Sequence, residues 1–556
     1  MSVIRNTFLL LLSASLLQQC SKKTTPDPVS EIPPAINITG KTINGQSVSS
    51  INYSIGIAPT IKLSFSAPLA RNLVASSIGF KSAAGTSVPY TISYEKNDST
   101  LVLQPSSSLT YLTRYSIGVA TTLRSVAGGG LIGVDSIHFI TKIDSSRKFT
   151  TITDNALLDL VQQQTFKYFW DFGHPVSGLA RERNTSADIV TSGGSGFGIM
   201  AIVTGVNRNF ITRTQGLARM QTIVAFLKNT AQTFHGAYPH WLNGATGLVV
   251  PFSTKDNGAD LVETSYLVQG LLCARQYFND AGAAETTLRT DINTICNKVE
   301  WSWFRQNSQN VLYWHWSPNF NWEMNVQIKG WNECLITYVL AASSTTFAVP
   351  PVVYTSGWAG GSGFINGSTY FGYQLPLGPP QGGPLFFSHY SFLGINPNGL
   401  SDAYANYATQ TKNHTLINYN YSKQNPKGYF GYSDSVWGLT ASDIPNGYAA
   451  SSPTNDLGVI APTAALSSFP YTPAESMAAL KFYYYVLGDK LWKQYGFVDA
   501  FSLKDPWFAD SFLAIDEGPI IVMIENYRSG LLWNLFTSCP EIKAGMTGLG
   551  FAAPYL

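Results

Sequence analysis

Charge is scarce in this chain: of 556 residues only 12% are Asp, Glu, Lys or Arg, and the formal net charge is +2. Globular domains usually carry about a quarter charged residues. A near-neutral surface offers no basic field for nucleic acid and no acidic field for cations. Cysteine is scarce as well. Cys20, Cys273, Cys296, Cys334 and Cys539 show no CxxC or Cys/His metal spacing. Export would permit disulfides, but Cys273 and Cys334 lie in apolar helical patterns and read as buried thiols. The seven histidines show no HExxH spacing, so neither a metal nor a cofactor is expected. Gly196 to Ala201 imitates a dinucleotide-binding glycine pattern, but no acid between Asp188 and Asp256 is available to hold a ribose. Ser195 and Ser362 both miss the final glycine of GxSxG, which leaves a serine hydrolase unsupported.

Aromatic residues, by contrast, make up 13% of the chain, with 13 Trp, 29 Tyr and 31 Phe. Rings on a nearly neutral protein suit uncharged ligands such as sugars, whose C–H faces stack on them. The amino terminus reads as an export signal over 1–19: Arg5, the apolar run Phe8 to Leu17, then Cys20 as a lipidation site. Residues 20–33 form a Lys-, Thr- and Pro-bearing tether. The expected location is a membrane-anchored lipoprotein facing the periplasm.

Texture divides the rest. Over 34–143, short segments such as Thr60 to Ser66, Tyr115 to Val119 and Ser136 to Ile140 alternate with period two, predicting about seven strands in a small β-sandwich. This stretch resembles bacterial Ig-like modules. After a linker at 144–153 the period turns helical. The spacing predicts helices over Ala156–Phe172, Thr214–Phe234, Asp260–Phe278, Ala284–Phe304, Glu475–Leu487 and Pro519–Phe536. Long loops rich in Gly, Pro, Trp and Tyr join them, as in an α/α toroid whose loops build a cleft.

The most informative motif is Lys255-Asp256-Asn257-Gly258-Ala259-Asp260-Leu261-Val262-Glu263-Thr264. On a helix, positions i, i+4 and i+7 share a face, so Asp256, Asp260 and Glu263 are expected to stack as neighbours at the start of an apolar, buried element. Acids in a first turn also favour the helix dipole, and Asp256 could be an N-cap. A third acid two turns in is better read as a site residue whose neighbours raise its pKa. Glu333 beside Trp331, and Asp516 before Pro519, repeat the arrangement of an acid at a buried helix start. Capping is the structural alternative for both.

Phe169 to Leu179, Thr191 to Gly198, His235 to Trp241, the acidic motif, Trp437 to Asp443 and Ile515 to Pro519 together resemble glycoside hydrolase family 144, a glucoamylase-like family, over about 154–556. The resemblance implies an (α/α)6 barrel, cleavage of β-1,2-glucan from within or from chain ends, and inversion between two carboxyl groups about 6.5–9.5 Å apart. It implies Asp256, Asp260, Glu263 and Glu333 as essential acids. The expected roles are Glu333 as general acid and Asp516 as general base, although a member of the acidic motif could activate the water instead. Expected sugar contacts are His240, Trp241, Trp331, His389, Tyr390 and Trp437, with core packing as the alternative for each ring. Arg183 is expected to line the same rim and orient carboxylates. The expected partner is a neutral β-glucan, taken by a monomer. The competing class is a non-catalytic glycan-binding lipoprotein of an uptake system; a lyase acting on uronates is disfavoured by the lack of net charge.

Overall fold

Period-two alternation governs the first unit, which ends at Lys142. The computed structural model describes residues 31–556, so Cys20 and the expected export signal lie outside the described residues. The strands are β1 Ile38–Ile43, β2 Gln46–Ser47, β3 Asn52–Ile55, β4 Ile61–Phe65, β5 Ile78–Ser82, β6 Tyr90–Glu95, β7 Thr100–Pro105, β8 Arg114–Val119 and β9 Asp135–Thr141. One helix, α1 Arg71–Ser77, interrupts them. Nine strands replace the expected seven, because the short β2 and β3 carry too few residues to show a period. They form a five-stranded sheet, β2-β1-β4-β7-β6, and a four-stranded sheet, β3-β9-β8-β5. Ile61, Leu63, Phe80, Leu103, Ile117 and Phe139 supply its core. Alternation of buried and less buried residues is clearest in β4 and β8, whereas β7 and the end of β9 are buried on both faces.

From Ile143 onward the second unit is mainly helical. Its longer helices are α2 Asp154–Trp170, α3 Ser192–Asn207, α4 Arg213–Asn229, α5 Leu261–Tyr277, α6 Ala283–Lys298, α7 Leu335–Ser343 and α8 Tyr407–Gln424. There follow α9 Pro462–Leu466, α10 Pro473–Tyr485, α11 Gly488–Leu491, α12 Ala514–Ser529, α13 Leu531–Thr537 and α14 Pro540–Gly548. An inner row runs α9, α12, α3, α5, α7, each packed on the next. Behind it, α2 covers α12 and α3, α13 covers α5, and α14 covers α7. Nearly every residue of α3 and α5 is buried, which explains why neither shows an amphipathic stripe.

Glycine sets how closely α3 and α5 pack. A Cβ on Gly196 would lie 2.1 Å from the Tyr266 carbonyl oxygen, and one on Gly270 would lie 2.2 Å from the Gly196 carbonyl oxygen. The glycine run that imitates a nucleotide loop is therefore a helix shaved to fit its neighbour.

Several boundaries differ from the sequence expectation. Asp256 and Asp260 are not on a helix: Asp256 lies in a loop, and α5 starts only at Leu261 with Asp260 as its N-cap. At Asp516 the helix begins earlier than Pro519, at Ala514, and the expected run to Phe536 breaks at Gly530, whose φ of 69° ends α12 and admits α13. Helix α6 stops at Lys298 and α4 at Asn229, each short of the aromatic residue taken as its end.

Candidate active site

Two banks of buried carboxyl groups gather where the inner helices begin. The first forms around Asp260. Its Oδ1 accepts the backbone amides of Val262 (3.0 Å) and Glu263 (2.9 Å), which satisfies two of the free N–H groups of α5. Its Oδ2 lies 3.0 Å from His240 Nδ1. Residues Ala259–Asp260 pair as a short antiparallel strand with His315–Trp316, and this brings His315 within 3.8 Å of Asp260 and 3.5 Å of Asp256. Glu263, in the first turn of α5, receives the Gly193 amide (2.8 Å) and the Thr191 hydroxyl (3.2 Å) on Oε2. The N-terminus of α3 thus holds an acid from α5. The three acids do converge, but through a cap, a loop and a helix turn, not through one helical face.

Electrostatics separates these acids. Burial, reinforced by Asp260, raises the Asp256 carboxyl to about 7, and its Oδ1 is buried without a partner. Burial would raise Asp260 too, but the bond from His240 and the two imidazoles outweigh it and hold that carboxyl below its usual range. Burial raises Glu263 against the pull of His240 and its two bonds. Burial opposes a charge on His240, yet Glu263, Asp260 and Asp256 overcome it and lift the imidazole to about 9. Atoms of His240, Asp256 and Asp260 lie close enough to hold a cation. A protonated His240 bonded to Asp260 competes with that use, since an imidazolium has no lone pair to give.

Glu333 occupies the turn before α7, half-buried, with its carbonyl bonded by the Ser391 hydroxyl. Burial, with Glu263 and Asp260 adding, raises its carboxyl to about 7.

The second bank centres on Asp516, in the first turn of α12, and Asp499, both buried. Asp499 Oδ2 accepts the Asp443 amide at 2.6 Å. Asp443, on the hairpin of Ala441–Ile444 and Gly447–Ala450, binds Arg183 Nη1 at 3.2 Å and the Ser511 hydroxyl at 2.5 Å. Arg183 Nε is meanwhile committed to Glu182 at 2.9 Å. Burial, then Asp499, pushes Asp516 well above the usual carboxylate range, and burial raises Asp499 to about 7. Arg183, Asp443, Tyr448, Trp507 and Phe508 line an open cavity of about 640 Å³ beside this bank.

Tyr390 joins the banks. Its ring packs against Phe197 and Tyr266, and burial followed by Asp516, Tyr448, Glu333 and Glu263 raises its phenol far above normal. One hydroxyl therefore feels acids from α5, the α7 turn and α12.

The expected sugar contacts divide. Trp241 and His240 stand at the rim against Phe252, which is 50% exposed, with ring centroids 4.9 and 4.2 Å away. Arg183 sits in the second bank as expected. Trp437 is a correction: it is fully buried, and its indole N–H donates to the Glu475 carbonyl. His389 is another, buried with Nε2 3.0 Å from the Ser468 hydroxyl and lowered to about 3 by burial. Trp331 packs within Trp358, Phe364, Phe392 and Tyr407. These rings fill the core because the inner helices need bulk beneath the loops, and composition alone cannot separate that use from stacking on a ligand. Sequence reasoning missed His315, Asp499, Tyr448 and Phe252. Asp443, within a quoted motif, was in view but unselected.

A mainly helical unit with buried carboxyl groups at the starts of its inner helices is of the glucoamylase-like class. The Glycoamylase family model matches residues 325–540, and a bacterial Ig-like model matches 24–141. The chain belongs to glycoside hydrolase family 144, carried behind an Ig-like module. An endo-β-1,2-glucanase from Chitinophaga pinensis, solved with sophorotriose and glucose, is 51% identical over 73% of this chain and 100% of its own, with a TM-score of 0.71. A β-1,2-glucanase from Parabacteroides distasonis is 38% identical over 93% of this chain and 73% of its own, also with a TM-score of 0.71. An exo-β-1,2-glucooligosaccharide sophorohydrolase (non-reducing end) from the same organism is 46% identical over 417 residues, 71% of this chain. The chain spans 58% of that curated relative.

Proposed function

We propose that this chain hydrolyses β-1,2-glucan by inversion at the cleft between the two carboxyl banks. The observation that carries the reading is the division of protons around Glu333: burial, with Glu263 and Asp260 adding, raises its carboxyl to about 7, while Asp260 itself is held below its usual range. A general acid must hold its proton at working pH and release it to the departing oxygen. Glu333 meets that requirement. The base must carry a free oxygen toward water. Asp256 has a bond-free Oδ1 and is raised to about 7, whereas both oxygens of Asp260 are engaged and burial, then Asp499, pushes Asp516 well above the usual carboxylate range. We therefore assign the water to Asp256 in place of Asp516. In this mechanism Glu333 protonates the glycosidic oxygen, Asp256 removes a proton from the attacking water, and the anomeric centre inverts. Asp260 and His240 hold the opposing charges in place, and Trp241 and Phe252 stack on a pyranose face.

The same reading closes the inner and outer helices into an (α/α)6 toroid. Relatives named for endo and for exo action match this chain alike, so the mode rests on loop closure of the cleft. The N-terminal pattern supports anchoring through Cys20, and the lack of an early acidic run in the tether supports the periplasmic side. The test is product analysis after incubation with linear β-1,2-glucan, beside Glu333→Gln. Sophorose or short oligosaccharides of inverted anomeric configuration from the parent protein, and none from the variant, support the reading. Glucan binding without products in the parent would favour a binding protein instead.

A further inference from the structure

The second bank holds more carboxyl groups than cations can answer. Asp443, Asp499, Asp516 and Glu517 lie together with Glu182, and the guanidinium facing them, Arg183, is committed to Glu182 and Asp443. Asp499 and Asp516 are each 3% exposed. Asp499 Oδ2 accepts the Asp443 amide at 2.6 Å, but Asp499 Oδ1 and Asp516 Oδ2 are buried with no donor. A carboxylate oxygen is an acceptor only, and leaving two such atoms unpaired in the interior is costly. The two side chains are within hydrogen-bonding reach of each other. A single proton between them satisfies both orphaned oxygens and halves the buried charge, as carboxyl pairs sharing a site do.

We propose that Asp499 is a positioning residue that shares one proton with Asp516, so that the pair meets the cleft as a hydrogen-bond donor and not as a base. The groups facing the pair are Asp443 and Tyr448 from the hairpin, Glu517 from α12, Arg183 from the segment bridged to Leu513, and Tyr390 from the turn beyond α7. Arg183 is committed through Nε to Glu182 and through Nη1 to Asp443, and Glu517, whose Oε2 is likewise buried without a donor, is itself raised by burial and then by Asp499. The pair adjoins the cavity lined by Arg183, Tyr448, Trp507 and Phe508. A neutral carboxyl there bonds a sugar hydroxyl without repelling the lone pairs of an uncharged ligand. This inference rests on the hydrolase reading for its ligand, but not for its protonation state.

The experiment is infrared difference spectroscopy at neutral pH on the full chain, subtracting Asp499→Asn and, separately, Asp516→Asn from the parent. In each variant an amide donor replaces the shared proton and frees the remaining acid to ionise. The expected result is one protonated-carboxyl band, of equal intensity, lost in both subtractions. A band lost only with Asp516→Asn, or in neither, overturns the proposal. Should Asp499→Asn fail to fold, Asp499→Ser keeps a hydroxyl donor in its place and is read the same way. Loss of the band together with absent glucan cleavage by the parent would sink the hydrolase reading while leaving the shared proton intact.

Discussion

At the scale of single residues, protonation decides what each acid can do. Glu333 and Asp256 both titrate near 7 because burial outweighs their partners. One must be protonated and the other ionised. The profile of kcat/KM against pH is therefore expected to be a narrow bell centred near 7, and a plateau extending to pH 9 would remove Glu333 from the acid's role. Glu333→Gln keeps shape and loses the proton, and should lower kcat by about 10²–10⁴-fold with an unchanged melting temperature. His240 has its own signature. Its pKa rises from 6.5 to about 9 on folding, so the stability it contributes is fully present below pH 6.5 and is lost as pH rises through 9. Denaturant unfolding should show the parent's advantage over His240→Gln at pH 6 shrinking as pH approaches 9; an advantage that grew with pH would contradict the imidazolium. At this scale Glu333, Glu263 and Asp260 were legible because acids at the start of apolar helices are expensive. His315 and Asp499 were not, because each reaches the site across more than fifty residues or from a loop with no period.

At the scale of elements, the site depends on the N-terminus of α3 meeting α5. A Cβ on Gly193 would lie 2.4 Å from Glu263 Oε2 and 2.8 Å from the Tyr266 ring. Gly193→Ala is expected to displace Glu263 and cut activity by at least about 10-fold, a loss of about 1.4 kcal/mol in transition-state stabilisation. Gly196→Ala meets backbone instead of a side chain, so it should act on stability, costing about 1–3 kcal/mol or more. Chemical denaturation of the two variants separates these effects: activity lost at near-parent stability for the first, stability lost for the second. The helices α2 and α10 were readable from period, and α5 from its continuous apolar run after the acidic motif. Helix α3 was not, since six residues with four glycines carry no helical propensity and its stability comes wholly from burial.

At the scale of the whole molecule, the described residues form two units joined at Lys142, and every acid of both banks belongs to the second. Deleting the β-sandwich is expected to leave kcat on soluble glucan within about twofold, given that catalysis rests on positioned groups within one unit. A loss of more than tenfold would place the sandwich in the catalytic machinery. The sequence by itself determined the division into a β unit and a helical unit, the family, and which helix starts carry acids, since period, composition and local motifs are written along the chain. Only the tertiary structure decided that Asp260 is a cap and Asp256 a loop acid, that Trp437 and His389 are core, and that Asp499 answers Asp516. Burial and pairing depend on which distant segments pack together, and a pKa follows from that packing and not from the residue's neighbours in sequence.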